Sequence, residues 1–155
     1  MTRIRRRAAV IVTALTAALL TTGCDMEPTV TKQQAIERVA QRAQESFAQL
    51  PPGATLVKEF AQDGLPCDDG NVMVETDYNI AFSSGWPVDQ TIATLAKYWE
   101  SAGYKVARDD RSSPDVPELV VEHPDDGFQL GILVARGSDG TIKATLRSSS
   151  SCVKP

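Results

Sequence analysis

Residues 71–82 read NVMVETDYNIAF, and apolar and polar side chains alternate along the whole of this segment. Alternation with a period of two is typical of a β-strand that buries one face and exposes the other. The side chains predicted to face the core are Val72, Val74, Thr76, Tyr78, Ile80 and Phe82. The opposite face carries Met73, Glu75, Asp77, Asn79 and Ala81, so we expect one solvated face on the sheet.

Shorter segments on both sides of this strand have the same character. Further strands are predicted at residues 54–60, 104–108, 118–123, 128–134 and 142–146. Turn-forming residues at 124–127 and 137–140 join the last three strands tightly, which favours antiparallel pairing. Residues 63–70 are rich in Asp, Gly and Pro and are predicted to form a loop. Residues 148–151, a run of serines, are predicted to lead out of the final strand.

Two segments space their apolar residues at three- and four-residue steps, which indicates helices with one buried face. The first begins after Thr31, which forms a capping-box pattern with Gln34, and ends at Pro51-Pro52-Gly53. The second has Pro87 in its first turn and ends at Gly103. The predicted buried faces are Ile36, Val39, Ala40, Ala43, Phe47 and Leu50 in the first helix, and Ile92, Leu95, Ala96, Trp99 and Ala102 in the second.

The predicted elements follow the order α-β-β-α-β-β-β-β. This order indicates an α+β fold, with an antiparallel sheet of about five or six strands packed on one face by two helices. Residues 32–155 are expected to form this single domain. On the other sheet face, Lys143, Thr145 and Arg147 are predicted to join the polar residues of the 71–82 strand.

The first 23 residues have the organisation of a signal peptide. Arginines at positions 3, 5, 6 and 7 precede an apolar run over residues 8–20, which is too short to cross a bilayer as a helix of about 20 residues. The run ends at Leu20-Thr21-Thr22-Gly23-Cys24. This ending resembles the lipobox of bacterial lipoproteins, although that pattern favours leucine where Thr21 stands.

The lipobox resemblance implies cleavage before Cys24 and attachment of a diacylglycerol to its sulfur. Residues 24–31 would then be the lipidated cysteine and a tether that spans roughly 25 Å at most, outside the cytoplasm and close to the cell membrane. The alternatives are an ordinary cysteine in a secreted protein that is cleaved elsewhere and an uncleaved membrane helix. The segment from Pro117 to Cys152 also resembles small envelope lipoproteins of high-GC Gram-positive bacteria that have no assigned activity.

Size and charge limit the functions that are open to this chain. Removal of residues 1–23 from the 155 leaves 132 residues, which is enough for one domain. The leader carries four arginines, so the formal charge changes from −4 for the whole chain to −8 for the mature part. An acidic chain is unsuited to nucleic acid and to electrostatic binding of anionic headgroups. Its contact with the membrane would therefore depend on the lipid on Cys24.

The chain has three cysteines, and Cys24 is assigned to lipid. In an oxidising compartment the remaining two, Cys67 and Cys152, are predicted to form a disulfide. This bond would close a loop of 85 residues. The alternative is two free thiols.

The sequence contains no recognisable catalytic or metal-binding motif. His123 is the only histidine and is expected to be a surface residue beside a turn, because no nucleophile motif accompanies it. Acidic pairs at 68–69, 109–110 and 125–126 lie in predicted turns, where aspartate is common, and lack the spacing of a calcium loop. We therefore predict no cofactor and no metal.

Aromatic residues gather around the second predicted helix, and Trp86 and Tyr98 are the two most suited to an exposed interaction patch. The leading hypothesis is a non-catalytic domain that binds an envelope protein or glycan through this patch or the solvated sheet face. A second hypothesis is a carrier with an apolar cavity lined by residues such as Val74, Ile80, Leu95 and Leu130. A small envelope hydrolase is the third, and it would need carboxylates with raised pKa values in a cleft. The sequence does not predict an oligomeric state.

Overall fold

The computed structural model describes residues 30–67, 70–82, 88–138 and 141–155. Its two helices and six strands follow the predicted order α-β-β-α-β-β-β-β. They are α1 (Lys32–Phe47), β1 (Thr55–Pro66), β2 (Val72–Ala81), α2 (Val88–Ser101), β3 (Lys105–Asp109), β4 (Glu118–Glu122), β5 (Gln129–Arg136) and β6 (Ile142–Ser149). The predicted α+β class is confirmed.

The six strands form one sheet in the order β1-β2-β6-β5-β4-β3, and every neighbouring pair is antiparallel. The sheet therefore consists of the β1–β2 hairpin and the β3–β6 meander, joined where β6 pairs with β2. Helix α2 connects β2, the second strand from one edge of the sheet, to β3 at the opposite edge. The last strand of the chain thus becomes a central strand.

Strand β2 has the predicted alternation. Val74, Thr76, Tyr78 and Ile80 are buried, while the residues between them are only half-buried. Both helices pack on the buried side of the sheet, α1 over β2 and β6, and α2 over β4 and β5. We call this side the inner face and the opposite side the outer face.

Helix α1 begins with the predicted capping box. The Gln34 N–H donates to Thr31 Oγ1 at 3.4 Å, and the Thr31 N–H donates to Gln34 Oε1 at 3.0 Å. The fully buried side chains of α1 are Ala35, Val39, Ala43 and Ser46, so the buried face is centred on smaller residues than predicted. Small side chains let the helix approach the sheet closely, and Ile36 and Phe47 pack at the margins of the core.

The larger core cluster lies between the sheet and both helices. Trp99 and Leu95 of α2 are fully buried against inner-face residues such as Ile132 and Leu146. The Trp99 indole Nε1–H donates to Ser46 Oγ at 3.0 Å, and this hydroxyl donates to the Arg42 carbonyl oxygen at 2.8 Å. The buried indole N–H of Trp99 is therefore satisfied by a hydroxyl of α1. Trp99 is a core residue.

The residues named for an apolar cavity are themselves buried in packed clusters. Ile80, Leu95 and Leu130 belong to the larger cluster. Val74 belongs to a smaller one, with Ala35, Val39, Phe128 and Val153. The open clefts described below are lined by other residues.

The C-terminal serines do not lead out of the sheet as predicted. Ser148 and Ser149 are the last residues of β6, and residues 148–150 are all buried. Ser150 continues the pairing, because its N–H donates to the Val74 carbonyl at 2.8 Å and its hydroxyl accepts the Val74 N–H at 2.9 Å. Serine suits this position because the hydroxyl supplies a hydrogen bond that the strand ladder would otherwise lack.

The chain then closes on its own beginning. Val72 and Val153 exchange two backbone hydrogen bonds of 2.9 and 2.8 Å, and the Lys32 N–H donates to the Lys154 carbonyl at 2.8 Å. Val153 is fully buried. The start of α1, the start of β2 and the C-terminus therefore meet at one end of the sheet, which we call the proximal end.

Strand β1 is longer than predicted, because it continues through Asp63 and Gly64 to Pro66. The predicted loop over residues 63–70 is wrong for its first part. The register of β1 against β2 shifts between Lys58 and Phe60 and again between Gln62 and Leu65. A bulge accommodates turn-forming residues such as Gly64 without ending a strand, so the composition of this segment was misleading.

The predicted disulfide between Cys67 and Cys152 is present, with the two Cα atoms 6.1 Å apart. It connects the residue after β1 to the C-terminal segment at the proximal end. Because the two cysteines are separated by 85 residues, the bond excludes a large part of the unfolded ensemble.

We predict that replacing both Cys67 and Cys152 with alanine lowers the free energy of unfolding by about 4 kcal/mol, the loss expected for a loop of this length. Urea unfolding followed by circular dichroism measures the change. Adding a reductant to the wild-type chain should lower stability similarly and leave the double variant unchanged. Equal stability of the oxidised wild type and the double variant would contradict this assignment.

Candidate functional site

The outer face of the sheet carries charged side chains on both sides of its centre. One row crosses all six strands and contains, in order, Phe60, Asp77, Arg147, Gly131, Val120 and Arg108. Within the described ranges, no helix packs on this side. The residues predicted to form a solvated face, including Asp77, Asn79, Thr145 and Arg147, do face outward together.

Ion pairs order the half of the outer face formed by β1, β2 and β6. Arg147 binds Asp77 through two hydrogen bonds of 2.9 and 3.0 Å, and its Nε lies 3.7 Å from Glu75. The hydrogen bonds that Arg147 donates to Asp77, with the negative charges of Asp77 and Glu75, raise the pKa of the Arg147 guanidinium. Lys143 of β6 reaches across β2, and its Nζ lies 2.9 Å from Glu59 of the edge strand β1. These contacts hold the charged groups at fixed positions.

The other half carries a second set of polar contacts. Arg108 of β3 pairs with Glu118 of β4, and its Nε lies 3.4 Å from Asp110. The Gln129 amide donates to Glu122 at 2.8 Å. The outer face therefore presents fixed positive and negative groups on both sides of its centre.

A shallow hollow lies between these two halves. Gly131 has no side chain there, and a Cβ at this position would lie 3.6 Å from Val120 Cγ2 and 3.8 Å from Arg147 Cβ. Two open depressions of about 290 and 180 Å³ meet at Arg147 and Glu118, and Val120 and Leu133 contribute apolar surface. The arrangement suits a projecting group on a partner surface, with charges around the rim that fix its orientation.

A separate cluster joins α1 to the β4–β5 turn. Arg42 donates to both carboxylate oxygens of Asp126, at 3.2 and 2.6 Å, and its guanidinium lies 4.7 Å from the centre of the Phe128 ring and 5.8 Å from that of Tyr104. Asp126 also accepts the Phe128 N–H at 3.3 Å. Sequence analysis missed this cluster because Arg42 and Asp126 are 84 residues apart and no local pattern connects them.

His123 belongs to the same cluster. It flanks the turn as predicted, but its side chain is only 23% exposed and its ring packs edge-on against Tyr104, with centroids 5.0 Å apart. Its Nδ1 lies 3.6 Å from Asp126 Oδ1. Burial raises the pKa of the Tyr104 hydroxyl, and the Arg42 charge opposes this. The contacts place His123 in the packing of the hairpin against α1.

Two of the predicted site residues, Cys24 and Trp86, lie outside the described residues. Tyr98 is half-buried at the edge of the larger core cluster, and burial, assisted by the charge of Glu45, raises the pKa of its hydroxyl. The patch of Trp86 and Tyr98 stays a prediction. Among the described residues, no three imidazole, thiol or carboxylate groups lie close enough together to hold a metal ion.

Comparison with known proteins adds no assignment. Neither a protein-family model, nor a curated protein, nor a solved structure matches this chain. None of the helices within the described part is long and apolar enough to cross a membrane.

We predict that the Arg42–Asp126 pair contributes to folding through a coupling energy of about 1–2 kcal/mol, because its bidentate contact is partly shielded from water. A double-mutant cycle of Arg42→Met and Asp126→Asn, measured by urea unfolding, gives this value. The cycle of Arg111→Met with Asp109→Asn, an exposed pair, should give a smaller coupling. Strictly additive effects of the Arg42 and Asp126 substitutions would show that the two side chains do not stabilise the fold as a pair.

Proposed function

We propose that this protein is a lipid-anchored, extracytoplasmic, non-catalytic domain that binds another component of the cell envelope through the outer face of its sheet. The observation that carries this proposal is the contrast between the two faces. The inner face packs against two helices, whereas the outer face presents ordered charges around the hollow at Gly131. A folded chain has no need of this arrangement for stability, because exposed ion pairs contribute little.

The anchor is inferred from the leader and from where the tether joins the fold. The segment ending in Cys24 resembles a lipobox, and the described chain begins at Val30, which accepts a hydrogen bond from the Lys154 N–H at the proximal end. The few residues between Cys24 and Val30 would hold this end near the membrane. The outer face would then stand beside the bilayer, open to partners in the envelope.

The chemistry of the outer face favours a protein partner over a glycan. Cationic and anionic groups alternate across the sheet, with Lys143 and Arg147 beside Glu59 and Asp77, and Arg108 beside Glu118. A protein surface with the complementary pattern would be selected by these charges and orientated by them. Among the described residues, the aromatic side chain exposed on this face is Phe60, which lies at its edge and is 48% exposed.

Lipid attachment to Cys24 can be tested by fractionation. The wild-type chain should fractionate with membranes and carry a diacylglycerol on Cys24, whereas Cys24→Ala should appear in the soluble fraction with an unmodified residue. Subcellular fractionation followed by mass spectrometry of the N-terminal peptide measures both properties. An unmodified Cys24 in the mature wild-type protein would exclude the lipid anchor and leave the binding face to be judged separately.

Binding of a partner to the outer face can be tested by crosslinking. A photo-crosslinking residue at Thr145, beside the hollow, should give an adduct of one defined mass in intact cells. The same residue at Gln41, an exposed position on α1, should not give this adduct. Gly131→Thr should reduce the Thr145 adduct at least about fivefold, because the new side chain fills the hollow that the partner group occupies.

The matched control is Ala61→Thr, which adds similar bulk at an exposed position of β1 on the helix side of the sheet. This control should leave the adduct unchanged. Equal adduct formation from Thr145 and Gln41, or an adduct insensitive to Gly131→Thr in a folded variant, would refute the outer face as the binding surface.

A further inference from the structure

The charged side chains of the outer face form columns that follow the strands. Strands β2 and β4 carry acidic columns, while β6 and β3 carry basic ones. In sheet order, these columns include Glu75 and Asp77 on β2, Lys143 and Arg147 on β6, Glu118 and Glu122 on β4, and Arg108 on β3. Strand β5 lies between β6 and β4, and its residues on this face, at 129, 131, 133 and 135, are uncharged.

These columns are complementary about β5. Strands β6 and β4 are the immediate neighbours of β5 on its two sides, and β2 and β3 are the next strands outward. A two-fold axis along β5 therefore brings β6 of one molecule over β4 of a second, and β2 over β3. Each basic column then faces an acidic column. The edge strand β1 has no counterpart, so its Glu59 stays outside this overlap.

The register of the strands gives complementary contacts at single residues. Gly131 lies on the axis, and its row contains Asp77 and Arg147 on one side and Val120 and Arg108 on the other. Across the axis, Asp77 of one molecule faces Arg108 of the second. Arg147 faces Val120, which borders an open depression of about 290 Å³. The projecting group and the hollow that receives it are thus both present on one chain.

The neighbouring row fits in the same way. Leu133 lies on the axis there, so Thr145 of one molecule faces Glu118 of the second. Arg147 is one row away from Thr145 and lies within reach of the same carboxylate across the axis. In these two rows of the described sheet, no two like charges face each other.

The ion pairs within one molecule are compatible with these contacts. Arg147 binds Asp77 and Arg108 binds Glu118, yet the two arginine side chains are 49% and 56% exposed. A carboxylate accepts several hydrogen bonds and a guanidinium donates five, so each group can keep its present partner and join a network across the axis. The complementarity comes from columns of opposite sign and requires no charge without a partner.

The axis also suits the anchor. A closed pair of identical molecules held in one bilayer has its two-fold axis normal to that bilayer. An axis along β5 keeps both proximal ends on the same side, so both tethers would reach one membrane. Sheets that pack face to face lie about 10 Å apart, with their strands inclined by about 30°. Gly131, without a side chain on the axis, permits this approach.

We propose that the outer face binds a second copy of this chain, face to face about a two-fold axis along β5. Since the proposed function gives the outer face a partner, this pairing rests on it and specifies that partner. Six short strands offer a small surface for a stable dimer. Confinement of both copies to one membrane raises their effective concentration and favours the pair.

The mass of the Thr145 photo-adduct tests the pairing in intact cells that produce the lipidated chain. The adduct should have twice the mass of the mature chain, and digestion should show Thr145 joined to the β4 segment around Glu118. An adduct of another mass would overturn pairing with a second copy and leave a different protein as the partner of the outer face. The absence of any adduct would reject both the pairing and the proposed function.

Charge reversal tests the symmetry of the pair. Asp77→Lys and Arg108→Asp should each reduce the adduct of twice the mass at least about tenfold, because each places like charges together at two symmetry-related contacts. Co-production of the two variants with different tags should restore an adduct between them, because the substituted positions then face each other with opposite charges. Arg38→Asp, a matched reversal on exposed α1, should have no effect.

Circular dichroism establishes that each variant is folded. An adduct unchanged by both reversals in folded variants, or a mixed pair that restores no adduct, would overturn the proposal. The mass of the wild-type adduct decides the question if either variant fails to fold.

Discussion

The closure of the C-terminal segment onto the beginning of the fold is the constraint on which the rest of the structure depends. Val153 pairs with Val72 through the backbone, Lys154 bonds to the start of α1, and the adjacent Cys152 is covalently joined to Cys67. One short segment thereby fixes β1, β2 and α1 relative to one another. It also completes the smaller core cluster, because Val153 fills the space between α1 and β2. The β1–β2 half of the outer face is built on strands whose positions this closure sets.

The two faces of the sheet serve different physical purposes. On the inner face, burial of Trp99, Leu130, Leu146 and their neighbours supplies the hydrophobic contribution to stability. On the outer face, the ion pairs around Arg147 remain largely solvated and contribute little to folding. These ion pairs hold charges at defined positions. Because the groups are preorganised, less conformational entropy is lost when a partner binds. Stability and recognition are therefore separated onto opposite sides of one layer.

Local patterns predicted much of this fold. The features named below that they did not predict depend on contacts between residues distant in sequence. The alternation in β2, the capping box at Thr31 and the Cys67–Cys152 pair each depend on nearby residues or on a count of cysteines, and all are confirmed. The strand order, the hydrogen bonding of buried Ser150 to Val74 and the Arg42–Asp126 ion pair depend on contacts between residues distant in sequence.

We propose that the domain is tethered at its proximal end and presents its outer face to the envelope. Paramagnetic relaxation tests it directly, with the lipidated protein in nanodiscs that contain a gadolinium-chelating lipid and with backbone amide NMR signals as the readout. We expect the amide signals of Val72 and Val153 to be strongly broadened and those of Ile142 and Arg136 to be little changed. The reason is that paramagnetic broadening falls steeply with distance from the gadolinium at the bilayer surface. Stronger broadening at Ile142 and Arg136 than at Val72 and Val153 would contradict it.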